Sequence, residues 1–338
     1  MEIKANHPFH SPCEFEETMH AAVTTLNNIV KKHSAKLLGT GMHPILKLQD
    51  TGVWPHYHKK IYNAYGKIFN LNQHGWLNIQ SFHLNLPFQK ENDATETHNH
   101  LCNLAAYLPA IAASSPFYEN KLGSDVDNRL QFYKTNQKEV PSIAGDVIPE
   151  YAQTLKQYKR TIIGGYSNDL AKAGADKTLL NREWVNSRGV IFRFDRSALE
   201  IRVMDEQECI KSDVALTCFI RATLRGLLAT GEKFLPHEVL VTDFNAAIKE
   251  GLKAETLNPH GKTAQKICQH YFNLADKFAD TDEKKYLPLI KRRIQEGNLS
   301  DTIRKRVLGR ATKTSLPEAI TDVYSTLIKC LNNNEPYF

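Results

Sequence analysis

Glu200 and Arg202 stand two residues apart in Leu199-Glu200-Ile201-Arg202-Val203-Met204-Asp205. On a β-strand that spacing puts a carboxylate and a guanidinium on one face, with Leu199, Ile201 and Val203 on the other. Val190-Ile191-Phe192-Arg193-Phe194 divides in the same way, with Arg193 opposite a greasy row. Upstream, Ser81-Phe82-His83-Leu84-Asn85-Leu86 groups His83 with Ser81 and Asn85, opposite Phe82, Leu84 and Leu86. Glu2, in Glu2-Ile3-Lys4-Ala5, completes a set of polar residues carried on separate strands. Carboxylates with one imidazole suit Mg²⁺ or Mn²⁺, hard ions that prefer oxygen and tolerate one nitrogen. Neighbouring arginines suit phosphate oxygens, which a guanidinium binds in bidentate fashion. Taken singly, each residue fits a surface ion pair or a satisfied strand histidine equally well. Together they read as a metal-bound nucleotide polyphosphate held over a sheet.

Other motifs fall short of known chemistry. His260-Gly261-Lys262-Thr263 resembles the end of a P-loop, but Thr256 stands where that motif needs glycine. There is no G-x-G-x-x-G run for a dinucleotide and no G-x-S-x-G nucleophile elbow. His56-x-His58 and His98-x-His100 with Cys102 have i, i+2 spacing, which faces apart on a helix, so these are expected to be exposed histidines rather than ligands.

The elements that must position the polar set follow from periodicity. Residues 190–194 and 199–205 form an antiparallel hairpin turning at Arg196-Ser197-Ala198. Residues 78–86 and 35–42 read as strands, the latter ending in Gly39-Thr40-Gly41-Met42-His43-Pro44, and residues 2–5 as the tail of a strand begun at Met1. Ser11-Pro12-Cys13-Glu14 has the form of a capping box opening a helix to about Lys32. Helices are expected over 55–70 and 95–113, and residues 118–148, carrying Arg129, read as a long functional or mobile loop. A further helix is expected over 149–158. After Asp205 the chain reads as helical, with Ser212 as the first N-cap and helices over 242–252, 261–278, 283–296 and 315–331. The expected class is α+β, a mainly antiparallel sheet covered by helices. Residues 1–230 hold the sheet, and residues 231–338 form a helical region packed on the same domain.

Bulk properties narrow the function. The net charge of +6 from 43 basic and 37 acidic residues is spread along 338 residues. The basic runs near 284–285, 291–293 and 304–306 read as solvated helix faces, not as a nucleic-acid stripe with interleaved aromatics. Six scattered cysteines without a C-x-x-C pair argue against a zinc ribbon or a disulfide framework, and a reducing cytoplasm is the default expectation. No apolar run approaches the ~20 residues that span a bilayer.

The chain resembles the glutamate–cysteine ligase type 2 family, including its carboxylate–amine ligase branch. Leu199 to Asp205 is similar to that family's E-V-R-V-M-D strand, and Gly39 to Pro44 to its G-x-x-H-P segment. Gln80-Ser81-Phe82-His83 matches its Q-H-V-H strand at the second histidine. Residues 109–118 (Pro109 to Tyr118) resemble its L-S-A-S-S-P-F-W helix end, with Arg129 where the family has an arginine. The resemblance spans residues 1–230 and implies a curved, glutamine-synthetase-like sheet. It also implies ATP-dependent joining of a carboxylate, such as the γ-carboxylate of glutamate, to cysteine or another amine through an acyl phosphate. On that footing Glu2, His83 and Glu200 are metal ligands for Mg²⁺ or Mn²⁺, and Arg193 and Arg202 hold phosphate or the acidic substrate. Arg129 closes over the phosphate or clamps a substrate carboxylate. The family's first strand is rich in glutamates, and the chain starts after that point. A degenerate member that binds nucleotide, amino acid or a protein partner without turnover is therefore the alternative, and the exposed sheet edge would favour a homodimer.

Overall fold

The computed structural model describes residues 2–56 and 59–338; Met1, expected to begin a strand, and Tyr57 and His58 lie outside the described residues. Helix α1 (Pro12–Lys31) starts where the capping pattern places it, with Ser11 Oγ accepting from Cys13 N at 3.2 Å. Helices α2 (Lys59–Tyr65) and α3 (His74–Leu77) lead to strand β1 (Ser81–Pro87). Helix α4 (Glu91–Ala105) and α5 (Leu108–Ala112) follow, broken where Pro109 enters the second. A short hairpin of β2 (Phe117–Tyr118) and β3 (Lys121–Leu122) precedes α6 (Asn128–Tyr133). Helix α7 (Leu155–Tyr158) runs through a π turn into α8 (Gly164–Lys172). Strands β4 (Val190–Arg193) and β5 (Ala198–Asp205) come next, joined through Ser197 at φ +49°.

Beyond β5 come α9 (Ile210–Thr230), α10 (His237–Glu250), α11 (Ala264–Phe278), α12 (Thr281–Lys284), α13 (Leu287–Glu296), α14 (Leu299–Ala311) and α15 (Leu316–Asn333). The molecule is thus α+β. Its main sheet has the order β1-β5-β4, antiparallel throughout. Leu199, Ile201 and Val203 are fully buried, as their alternation requires. Asn85 and Ile191 flank Glu200 in register. Phe82 pairs with Met204 but Leu84 with Ile201, so β5 carries one extra residue across that gap. This bulge re-aims side chains beside His83, and it takes Met204 into the core rather than onto the polar face.

One core joins both parts of the chain: Val190, Phe192 and Leu199 belong to the same apolar cluster as Phe219, Tyr271 and Ile290. A second cluster gathers α14 and α15 around Phe117. Among the described residues no helix is long and apolar enough to cross a membrane.

Several expectations give way to long-range packing. Residues 2–5 and 35–42 form no strand. A Cβ on Gly39 would sit 2.2 Å from Gln207 O, and one on Gly41 would sit 2.3 Å from the Asp205 carboxyl. The glycine segment is therefore an irregular crossing pressed on the end of β5, with its Gly41 O accepting from Gln80 N at 2.8 Å. Residues 118–148 are not an open loop, because β2, β3 and α6 pack most of them inward. Helix α9 begins at Ile210, and the Ser212 hydroxyl donates to Glu208 Oε1 at 2.9 Å instead of capping. His98 and His100 are buried, the first stacked on Phe192 at 4.8 Å between centroids, because α4 lies against β4. Arg293, expected on a solvated face, is buried against Glu208 and Gln207.

Candidate active site

Glu200 is the hub of a charged wall on β1, β4 and β5. The residue is 4% exposed, so its partners set its chemistry. Arg193 Nη1 donates to Glu200 Oε2 at 2.6 Å, while its other nitrogens reach Glu183 Oε1 at 3.3 Å and Asp195 Oδ2 at 3.2 Å. Arg202 Nε lies 3.6 Å from Glu200 Oε1, and its Nη1 donates to Asn186 O at 2.6 Å. His83 Nδ1 lies 3.8 Å from Glu200 Oε1, with Ser81 Oγ 2.9 Å from the other ring nitrogen. Desolvation by the surrounding wall, then the charges of Arg202, Arg129 and Arg193, hold His83 well below the usual histidine value, although 35% of its side chain stays accessible. It is neutral at pH 7 and offers a nitrogen lone pair beside a carboxylate.

Cationic donors remain to be satisfied here. Arg202 Nε and Arg129 Nη2 are buried without a hydrogen-bond partner among the described residues. A buried guanidinium N–H without an acceptor is costly, and an anionic oxygen would relieve it. Tyr65, from α2, also faces this charge: burial raises its phenol well above the ordinary value, and Arg202 opposes the rise.

Behind the wall lies a stack of acids. Arg129 Nε is ion-paired with Asp205 Oδ1, both side chains being fully enclosed, and Asp205 Oδ2 accepts from Ser114 N at 2.8 Å. Burial and the Asp205 charge push the Asp127 carboxyl well above its ordinary value against the pull of Arg129. Burial likewise pushes Glu206 up to about 7. Asp213 is also raised, by burial and then by Glu206 and Glu208.

Glu206 gives the fold a pH dependence. Unfolded, its carboxyl titrates near 4.5; folded, near about 7. Between those values the folded state holds the extra proton, so stability falls as pH rises through the window and levels off above it. Glu206→Gln is expected to flatten the decline and to stabilise the protein at pH 8 by on the order of 2 kcal/mol. Urea unfolding at pH 5 and pH 8 measures this, and equal pH slopes in both proteins would contradict it.

Of the residues singled out by sequence, His83, Arg193, Glu200 and Arg202 are brought together. Glu2 is not: it is exposed, outside any strand, and no hydrogen bond or ion pair among the described residues ties it to His83 or Glu200. Arg129 is no mobile clamp, because α6 buries it and Asp205 fixes it. Asp205, Glu183 and Tyr65 were not anticipated. Asp205 ends the β5 pattern, whereas nothing in local spacing marks the other two.

A family model described as glutamate-cysteine ligase family 2 matches residues 1–324. The chain is also similar to an uncharacterized protein of Archaeoglobus fulgidus, at 47% identity over 337 residues covering 100% of this chain and 86% of that protein.

Proposed function

Since the chain belongs to glutamate-cysteine ligase family 2, we propose that it is an ATP-dependent carboxylate–amine ligase working on a glutamine-synthetase-like sheet. The acid is glutamate, through its γ-carboxylate, or a similar acid, and the amine is cysteine or another amine. In the first step a carboxylate oxygen of the acid attacks the γ-phosphorus of ATP, and ADP leaves. In the second the amine nitrogen forms a bond to the acyl carbon, phosphate leaves with the C–O electron pair, and the nitrogen loses a proton.

The observation that carries this reading is the convergence of neutral His83, Glu200, Arg193 and Arg202 on one wall. Glu200 and His83 would hold Mg²⁺ or Mn²⁺. Two protein ligands suit an ion that keeps several waters and shares phosphate oxygens. When bound, the ion supplies neutralising charge to phosphoryl oxygens. Arg202, whose Nε lacks an acceptor, would take an oxygen of phosphate or of the acidic substrate. Arg193 would share that task from the adjacent strand. Arg129 acts from behind, fixing Asp205 and adding positive charge that keeps His83 unprotonated. Catalysis is then chiefly positioning and electrostatic stabilisation.

A non-catalytic, nucleotide-binding member is the second reading. It draws support from Arg193, which already occupies Glu200 Oε2. A phosphate-release screen over acid–amine pairs with ATP and Mg²⁺ separates the two. The ligase reading expects release that needs both acid and amine and matches amide formed by mass spectrometry. Nucleotide binding without release for any pair would favour the second.

A further inference from the structure

Away from the charged wall, three side chains from distant segments converge on one point. Glu232 follows Gly231, the left-handed residue that ends α9. His260 lies in the turn closed by the Glu255–Thr263 bridge, and His270 is in the middle of α11. His260 Nε2 is 3.2 Å from Glu232 Oε1, and His270 Nε2 is 3.0 Å from Glu232 Oε2. The imidazoles lie face to face, 4.2 Å between centroids and 10° from parallel. One donor atom from each residue falls within 4.8 Å of the others, the only such three-residue grouping among the described residues.

We propose that Glu232, His260 and His270 form a binding site for a borderline divalent cation, with zinc the best match, which staples the end of α9 to the 255–263 turn and to α11. The proposal is independent of the ligase reading. Ligands about 2.0–2.1 Å from a tetrahedral ion lie about 3.3 Å apart, close to the two separations found here. Two imidazoles and a carboxylate suit zinc, cobalt or nickel better than magnesium, which wants oxygen, or copper(I), which wants sulfur. Zinc sites of three protein ligands take water as the fourth, and side-chain exposures of 38%, 30% and 18% leave this cluster open to solvent.

The supporting shell is built. His260 N donates to Asn258 Oδ1 at 2.9 Å, Thr256 Oγ1 to Gly261 O at 2.7 Å, and Thr256 N to Lys262 O at 3.1 Å. These bonds hold the turn without help from the imidazole. Against burial, the hydrogen bond from His270 helps hold the Glu232 carboxyl below its usual value. It is ionised at neutral pH, as a ligand must be. His100 is buried nearby and adds a third imidazole to the surroundings. Without an ion, two imidazoles each donating to one Glu232 oxygen would give the same distances, so the experiment must tell a latch from a ligand set.

Full-length protein stripped with a chelator is titrated with Zn²⁺ by calorimetry at pH 7.5, and with Co²⁺ followed by visible absorption. The expected result is one ion per chain, a tetrahedral Co²⁺ spectrum, and a higher melting temperature with Zn²⁺. Affinity should fall in acid, where protons compete with the metal for the ligands. His260→Ala and His270→Ala should each weaken binding by at least about 100-fold, while His33→Ala, at an exposed histidine outside both sites, binds as the wild type does. His260 lies on a half-exposed turn, so its variant should melt within a few degrees of wild type and keeps the test interpretable. No Zn²⁺ binding to the stripped wild type, or binding as tight in both cluster variants as in His33→Ala, would overturn the proposal.

Discussion

Glu200→Gln is expected to lower ATP turnover on the order of 10²–10³-fold or more, the scale for removing one charged or donor group from a preorganised site. Glutamine keeps the volume of glutamate and can still accept from Arg193, but it carries no charge to hold a divalent ion. It also leaves Arg193 and Arg202 with an excess of positive charge where phosphoryl oxygens would have to be placed together with a metal. The fold should tolerate the change, because Arg193 retains Glu183 at 3.3 Å and Asp195 at 3.2 Å. A coupled phosphate-release assay and a thermal melt on the same preparation measure both effects. Turnover at the wild-type rate would remove Glu200 from the chemistry. Loss of turnover with collapse of the fold would show a structural role only.

Arg129→Met carries the largest expected effect on stability. Arg129 is 1% exposed and its partner Asp205 is fully buried. Removing one member of such a pair strands a charge and costs about 3–5 kcal/mol. Here the cost is compounded, because Asp127 loses the same cation. The pH dependence identifies the cause. Asp127 titrates higher in the folded state than in the unfolded one, so its proton stabilises the fold in acid, and that contribution is lost as pH rises through the folded value. Without Arg129 the lowering influence on Asp127 is gone, so the deficit relative to wild type should shrink towards acid and grow towards alkali. Urea unfolding at pH 5 and pH 8 reads this directly. A deficit below about 1 kcal/mol, or one independent of pH, would show that Arg129 is not the counter-ion of the stack.

The parts of this architecture legible in the sequence are those that local periodicity controls. Alternation along 190–194 and 199–205 suffices to place Arg193, Glu200 and Arg202 on one side of a hairpin. The same alternation along 81–86 brings His83 to that side, since β1 pairs with β5. The helix start capped by Ser11 is equally visible, whereas Ser212, expected as a cap, bonds Glu208 instead.

What escaped was set by partners far along the chain. Arg129 reads as a loop arginine because α6 has only six residues, and its partner Asp205 is 76 positions away. Gly39 and Gly41 look like the end of a strand, yet they are small because Gln207 and Asp205 press on them. His98 and His100 look exposed on a polar helix, but α4 is packed by Phe192 near one and by Phe234 near the other. The β5 bulge, which turns Met204 inward, leaves no local mark. Glu2 would join the site only on a strand over residues 2–5, and that strand does not form.

The most direct measurement is calorimetric titration of a nonhydrolysable ATP analogue into wild type and Glu200→Gln, each with and without Mg²⁺. If Glu200 and neutral His83 hold the ion that seats triphosphate against Arg193 and Arg202, Mg²⁺ should tighten binding to wild type at least about tenfold and leave the variant unaffected. Nucleotide affinity that ignores Mg²⁺ in the wild type, or gains as much from it in the variant, would contradict the account.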